Sequence, residues 1–272
     1  MNRLTSNLNH LILITGLLLM IIPVWVIFAS STHTSLFINT NGLQFMIGDN
    51  FIENYSRVLF KTSGFFQEIT ALNMFFNSFI MATGIATLSV ATSLMAAYGL
   101  VYYRIKYSSF FFWLIFITLL VPLELRIMPT YEIMSKLNLL NSYTGLILPI
   151  SASAIATFFF RQFYKSVPDE LLESAKLDGA NSWKFFIDFL VPLSKTMIAA
   201  VFIFMFVFGY NQYLWPLIMT TTEQYWTVVM GLKTMYGSIS HRFAFVIMSM
   251  IPPVLIIIFL QRWFIQGIFQ DK

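Results

Sequence analysis

Residues 162–195 read QFYKSVPDELLESAKLDGANSWKFFIDFLVPLSK. Five of the chain's 12 acidic residues fall in this stretch: Asp169, Glu170, Glu173, Asp178 and Asp188. Pro168 suits the first turn of a helix, and Asp169 and Glu170 follow it where the helix dipole favours negative charge. Leu171, Leu172, Ala175 and Leu177 then make an apolar stripe. Gly179 is a natural C-terminal stop. Asn181 or Ser182 can cap a second helix carrying Trp183, Phe185, Phe186 and Phe189, which Pro192 ends. The stretch predicts two short helices joined at Asp178-Gly179, too polar to lie in lipid and projecting from it.

The rest of the chain is of another character. Of 272 residues, 58% are apolar and only 10% charged, with 30 Phe; mean hydropathy is +0.75. An ordinary soluble domain is about 45–50% apolar and about 25% charged. The chain is therefore an integral membrane protein, which excludes disorder and nucleic-acid binding. The net charge of +4 implies no polyanionic partner, and with no Cys there are no disulfides and no thiolate ligands. The three His are too scattered to suggest a metal site.

A membrane-spanning helix needs about 20 mostly apolar residues. Six stretches qualify: Leu11–Ser30 (interrupted by Pro23), Asn77–Tyr103, Ser109–Ile127, Thr144–Phe160, Met197–Met219 and Phe243–Leu260, the last with Pro252-Pro253 in its middle. The first could instead be a cleaved signal peptide, although its apolar run is long for one. Six spans put both termini on one side. With the termini in the cytoplasm, ten of the 16 basic residues fall on inner segments, led by Arg104 and Lys106 in the turn after the second span. That agrees with the positive-inside rule and places residues 162–195 in the cytoplasm. The fold class expected is all-α and membrane-integral. An N-terminal helix and extracytoplasmic segment over 1–76 precede a core over 77–272. Met128–Tyr143, outside, has the spacing of a short helix along the membrane face.

Small residues recur on two spans: Ser89, Ser93 and Ala97 on the second, and the run Ser151-Ala152-Ser153-Ala154-Ile155-Ala156 on the fourth. Small side chains let helices approach closely in lipid, so these two spans are expected inside a bundle. The only charges in the six spans are Glu124 and Arg126, near the outer end of the third. No carboxylate or His sits at mid-membrane to couple an ion gradient. No nucleophile–base pair or metal-ligand set is evident, and the chain has no G-x-x-x-x-G-K-[ST] phosphate-binding loop.

The run Glu173-Ser174-Ala175-x-x-Asp178-Gly179-Ala180, with Phe186 and Pro192 downstream, resembles the EAA loop of ABC importer membrane subunits of the maltose-type group. The pattern departs at Ser174, where the family prefers Ala, and at Thr196, where maltose-type relatives carry a second Pro. Neither change obstructs a helix–Gly–helix element. The resemblance implies that Glu170, Glu173, Ala175, Asp178, Gly179 and Ala180 dock onto an ATP-binding subunit. Three further runs, Val121–Arg126, Phe160–Phe163 and Asn211–Pro216, resemble most the permeases in that group that serve sn-glycerol-3-phosphate. By that resemblance the complex holds a second homologous permease, two ATP-binding subunits carrying ATP and Mg, and an extracytoplasmic binding protein, in the cell inner membrane. This chain would bind no cofactor or metal.

A guanidinium holds phosphate in a bidentate manner, so Arg126 is the foremost substrate-pathway candidate, with Glu124 beside it. The bland alternative is an interfacial Arg satisfied by Glu124, Glu132 or lipid headgroups; Glu124 and Arg126, two apart, would not face each other on a helix. Asn211, about 21 Å along the fifth span, lies beyond mid-membrane. It is expected to line a cavity or bridge helices. Tyr210 and Trp215 could stack on a polyol, the aromatic belt being the better reading for Trp215. Asn77 reads as a helix cap or bridge. The alternatives are the same machine importing a sugar, or a membrane-embedded enzyme or scaffold.

Overall fold

The computed structural model describes residues 3–61, 69–103 and 105–269, and all regular structure among them is helical. In chain order, α1 (Arg3–Ser31), α2 (Ser35–Asn41) and α3 (Phe51–Phe60) precede α4 (Ala71–Tyr102). Then follow α5 (Ser108–Ile117), α6 (Leu123–Lys136), α7 (Tyr143–Ile147), α8 (Ala154–Ser166) and α9 (Asp169–Leu177). After α10 (Ser182–Leu193) come α11 (Lys195–Tyr210), α12 (Leu214–Met219), α13 (Val228–Thr234) and α14 (Ile239–Phe269).

Three helices are long and apolar enough to cross a membrane: Leu8–Ser31, Ala71–Tyr102 and Ile239–Arg262. Three bent pairs bring the total to six if each pair is one span. The proline-containing first and sixth spans stay helical through Pro23 and through Pro252-Pro253. Arg104, named above among the inner charges, and Lys272, another of those ten, lie outside the described residues.

The expected third, fourth and fifth spans are not continuous. The third ends in a 3-10 turn at Leu120, because Pro122 has no N–H to continue the ladder and its ring drives Val121 into the extended region (φ −84, ψ 111). Glu124 and Arg126 therefore belong to α6, beyond the break, and α6 begins earlier than the expected face-lying helix. The fourth span is bent by 48° between residues 150 and 154 and runs on to Ser166. Arg161, one residue beyond the expected fourth span, is thus in α8. The fifth stops at Tyr210, because Asn211–Tyr213 is non-helical and Leu214–Met219 is a separate helix.

The chain forms two units, Met1–Phe75 with Met230–Ile251, and Phe76–Val229 with Pro252–Lys272. In the first, the segment after α1 folds back on itself. The Asn54 amide donates to the carbonyls of Ser31 (2.8 Å) and His33 (2.9 Å), and Trp25 Nε1 donates to Phe45 O (3.0 Å).

In the second unit, α4 and the α7–α8 pair share a seam of small polar groups. Ser89 Oγ donates to Ser151 O (2.9 Å) and Ser93 Oγ to Ser153 O (3.2 Å). Backbone carbonyls freed by a helix break in lipid must find a donor. Ser89 supplies one to Ser151 O, whereas Ser153 O already accepts from Thr157 N (3.1 Å) in the first turn of α8 and takes the Ser93 hydroxyl as a further donor. Ser153 Oγ in turn accepts from Ala156 N (3.2 Å) and caps α8. The small-residue stripes therefore mark an interior seam, with Ser89 and Ser93 fully buried.

Candidate functional site

Three breaks in the second unit frame one cavity of about 290 Å³. The third span's break contributes Val121 and Pro122, the fourth contributes Ser153 and Ala154, and α6 contributes Arg126 and Thr130. Phe204 and Phe208 of α11 and Trp215 of α12 complete the wall. Helices broken at proline and serine turn their ends toward one space, so polar side chains meet there without a continuous helix face to carry them. Arg126 is solvent-accessible and makes no ion pair; among the described residues the ion pair present is Arg57–Glu53. Thr130 Oγ1 donates to Arg126 O (2.7 Å), tying the first turns of α6 together. A cation beside hydroxyls and aromatic faces can hold an anion and the carbon skeleton attached to it.

The other substrate candidates separate. Glu124 is exposed and does not line the cavity. Asn211 is exposed, but it faces a neighbouring groove with Gln212, Ile257 and Gln261, and its amide donates to Val207 O (2.9 Å). Tyr210 is buried against Phe206, with ring centroids 6.0 Å apart, and is not in the cavity wall. Trp215 is not in an aromatic belt. It is 2% exposed, and its Nε1 donates to Leu146 O (3.1 Å). A ring this size is drawn inward because the carbonyl gives its N–H a partner away from water. Asn77 is a bridge and not a cap, since α4 starts six residues earlier. It donates to Gln224 O (2.8 Å) and Trp226 O (2.9 Å) and accepts from Tyr143 Oη (2.7 Å). Thr130, Phe204 and Phe208 carried no distinguishing sequence signal; Ser153 was visible within the small-residue run.

Residues 162–195 form the expected pair of helices. α9 runs Asp169–Leu177 and ends in a Schellman turn. Ala180 N donates to Ala175 O (2.9 Å) and Gly179 N to Lys176 O (3.0 Å), with Gly179 at φ +78. Asn181 caps α10 by accepting from Lys184 N (2.8 Å). Pro192 does not end that helix. Residues 185–190 form a π-helical turn, and Pro192 sits in the short α-segment Val191–Leu193 that continues it. The chain bends by 73° at Ser194 instead. The apolar stripe also divides. Ala175 is buried and Leu171 and Leu172 are half-buried, while Leu177 points outward at 89% exposure. Glu170, Glu173, Asp178 and Trp183 are exposed as well. The projecting face thus carries carboxylates beside a large aliphatic and an indole.

Arg161, 7% exposed in α8, lies with its guanidinium 3.8 Å from the centroid of the Phe112 ring. Its Nε has no hydrogen-bond partner among the described residues. The Phe112 ring face gives this guanidinium a favourable electrostatic neighbour.

An all-helical polytopic chain with broken spans around a cavity, and a helix–Gly–helix element projecting from it, is the architecture of a transporter's membrane subunit. The chain belongs to the family of binding-protein-dependent transport system inner membrane components, whose pattern matches residues 89–270. Relatives include the sn-glycerol-3-phosphate transport system permease protein UgpE of Brucella melitensis, 40% identical over 99% of this chain and 98% of that one. The protein of the same name from Yersinia enterocolitica is 41% identical over 97% of this chain and 95% of its own length. The fold of the present chain matches the crystal structure of a bacterial ABC transporter involved in the import of the acidic polysaccharide alginate, with TM-score 0.75, 22% identity and coverage of 96% of this chain and 97% of that one. The chain is a multi-pass inner-membrane permease of an ABC importer, a transport subunit that is not itself catalytic.

Proposed function

We propose that this permease forms half of the translocation pathway of an ATP-driven importer for sn-glycerol-3-phosphate or glycerophosphodiesters. The observation that carries the substrate class is Arg126, an unpaired guanidinium on the wall of the cavity. The relatives named for sn-glycerol-3-phosphate support the same class. A second homologous permease supplies the other half, two ATP-binding subunits hold ATP and Mg, and an extracytoplasmic binding protein delivers substrate. Both termini face the cytoplasm. Residues 1–76 make an N-terminal helix and extracytoplasmic segment, and residues 77–272 the transporting core.

The exposed face of α9 and α10 docks into the ATP-binding subunit, with Glu170, Glu173 and Asp178 making charge-assisted hydrogen bonds and Leu177 and Trp183 supplying apolar area. Nucleotide-driven closure of the ATP-binding pair moves this face, and the pathway alternates its opening. Uptake of labelled sn-glycerol-3-phosphate and of labelled maltose by the complex in proteoliposomes tests the reading. Transport of the phosphate ester is expected; transport of the neutral sugar alone would replace it with a sugar importer.

A further inference from the structure

The cytoplasmic end of α4 and the projecting loop meet through aromatic rings. Tyr98 Oη donates to the backbone carbonyl of Ser182 (2.7 Å), in the first turn of α10. The Tyr98 ring lies 4.9 Å from that of Phe186, and Tyr102 lies 5.4 Å from Phe185. Two consecutive phenylalanines can both face α4 because they open the π-helical turn, whose wider spacing reduces the rotation between neighbours. Both are buried. The hydroxyl bond is to backbone, so it reports the position of the helix itself and not of a side chain that could swing away. On the other side of this contact, the Trp183 ring lies tilted 5.5 Å from that of Phe186 and the residue is 62% exposed.

We infer that Tyr98 is a positioning residue that fastens the cytoplasmic end of α4 to the docking loop, so that the two move as one lever. α4 is also the helix whose Ser89 and Ser93 hold the broken backbone next to the cavity. A push received at Trp183 is thereby delivered to Ser151–Ser153 through a single rigid helix, about 14 Å from Tyr98 to Ser89 at 1.5 Å per residue. The inference rests on the reading of residues 162–195 as the docking segment.

Tyr98→Phe removes the hydroxyl and keeps the ring. In the full complex in proteoliposomes, it is expected to retain its ATP-binding subunits while uptake falls about tenfold and ATP consumed per substrate rises by the same factor. Unchanged uptake overturns the inference; so does loss of the ATP-binding subunits, which would make Tyr98 part of the docking surface's shape alone. The chain has no Cys, so a second test uses Tyr103→Cys with Lys176→Cys, two residues on one cavity between α4 and the loop. Bridging them with a short bis-maleimide is expected to preserve most of the uptake measured before bridging, and a block would show that the two must slide. A failure of the underlying reading looks different: Leu177→Ala with Trp183→Ala, on the wild-type background, would then leave the ATP-binding subunits bound.

Discussion

The indole Nε1 of Trp215 donates a hydrogen bond to the backbone carbonyl of Leu146 at 3.1 Å, and both residues are fully buried. The bond joins α12 to α7 beside the cavity and fixes one wall of it. Trp215→Phe should leave the Leu146 carbonyl short of a donor, a loss of about 1–3 kcal/mol. Trp215→Ala adds the loss of the ring, about 3–5 kcal/mol. Thermal unfolding of the purified complex in detergent is expected to rank wild type above Phe above Ala.

Arg126 contributes the cation of the cavity. Arg126→Gln is expected to raise the KM for sn-glycerol-3-phosphate at least tenfold, since a hydrogen bond to a charged group is worth about 1.5–3 kcal/mol. Arg126→Lys, which keeps charge but loses the planar fork, should fall between. The amount of ATP-binding subunit recovered with the complex should stay at wild-type level. Equal KM values in all three would detach Arg126 from the substrate.

Gly179 holds φ +78 with no neighbour that a Cβ would strike. Its requirement is purely conformational. Gly179→Ala should therefore cost about 1–2 kcal/mol locally and weaken uptake. Gly179→Pro, which can neither reach that φ nor donate to Lys176 O, should abolish it with insertion intact. Glu173→Lys, reversing a charge on the exposed face, should also abolish it. Uptake assays paired with membrane-fraction blots check these outcomes, and wild-type uptake in the proline and lysine variants would remove the docking assignment.

Asn77 satisfies two backbone carbonyls and one phenol at once. Asn77→Ala should lower the unfolding temperature by more than Tyr143→Phe, which breaks one of these bonds and leaves the other two. A larger effect from the tyrosine variant would mean that the two carbonyl bonds contribute little and that leaving Asn77 Oδ1 without its donor is the costlier loss.

Much of this was legible because it is local or compositional. Scarce charge declares lipid as the solvent, and a stretch of about 20 apolar residues declares a crossing. Acidic residues after Pro168, a glycine at 179 and an asparagine at 181 specify a helix, its stop and the next helix's cap within one short segment. The serines four apart on α4 are visible as a stripe, and the structure gives them partners. What local pattern could not show is that the partners are backbone carbonyls flanking a helix break.

The sequence by itself determined the class of solvent, the stretches long and apolar enough to be candidate crossings, and the helix–Gly–helix element, since hydrophobic length and capping act over neighbouring residues. Only the tertiary structure decided that Arg126 and Trp215 share a cavity while Asn211 and Tyr210 do not. It alone decided that Pro192 lies within a helix and that Arg161 rests on Phe112. Each of those outcomes depends on which group across the bundle satisfies a carbonyl, an N–H or a charge away from water. That choice is made between residues far apart in the chain, where no spacing rule reaches.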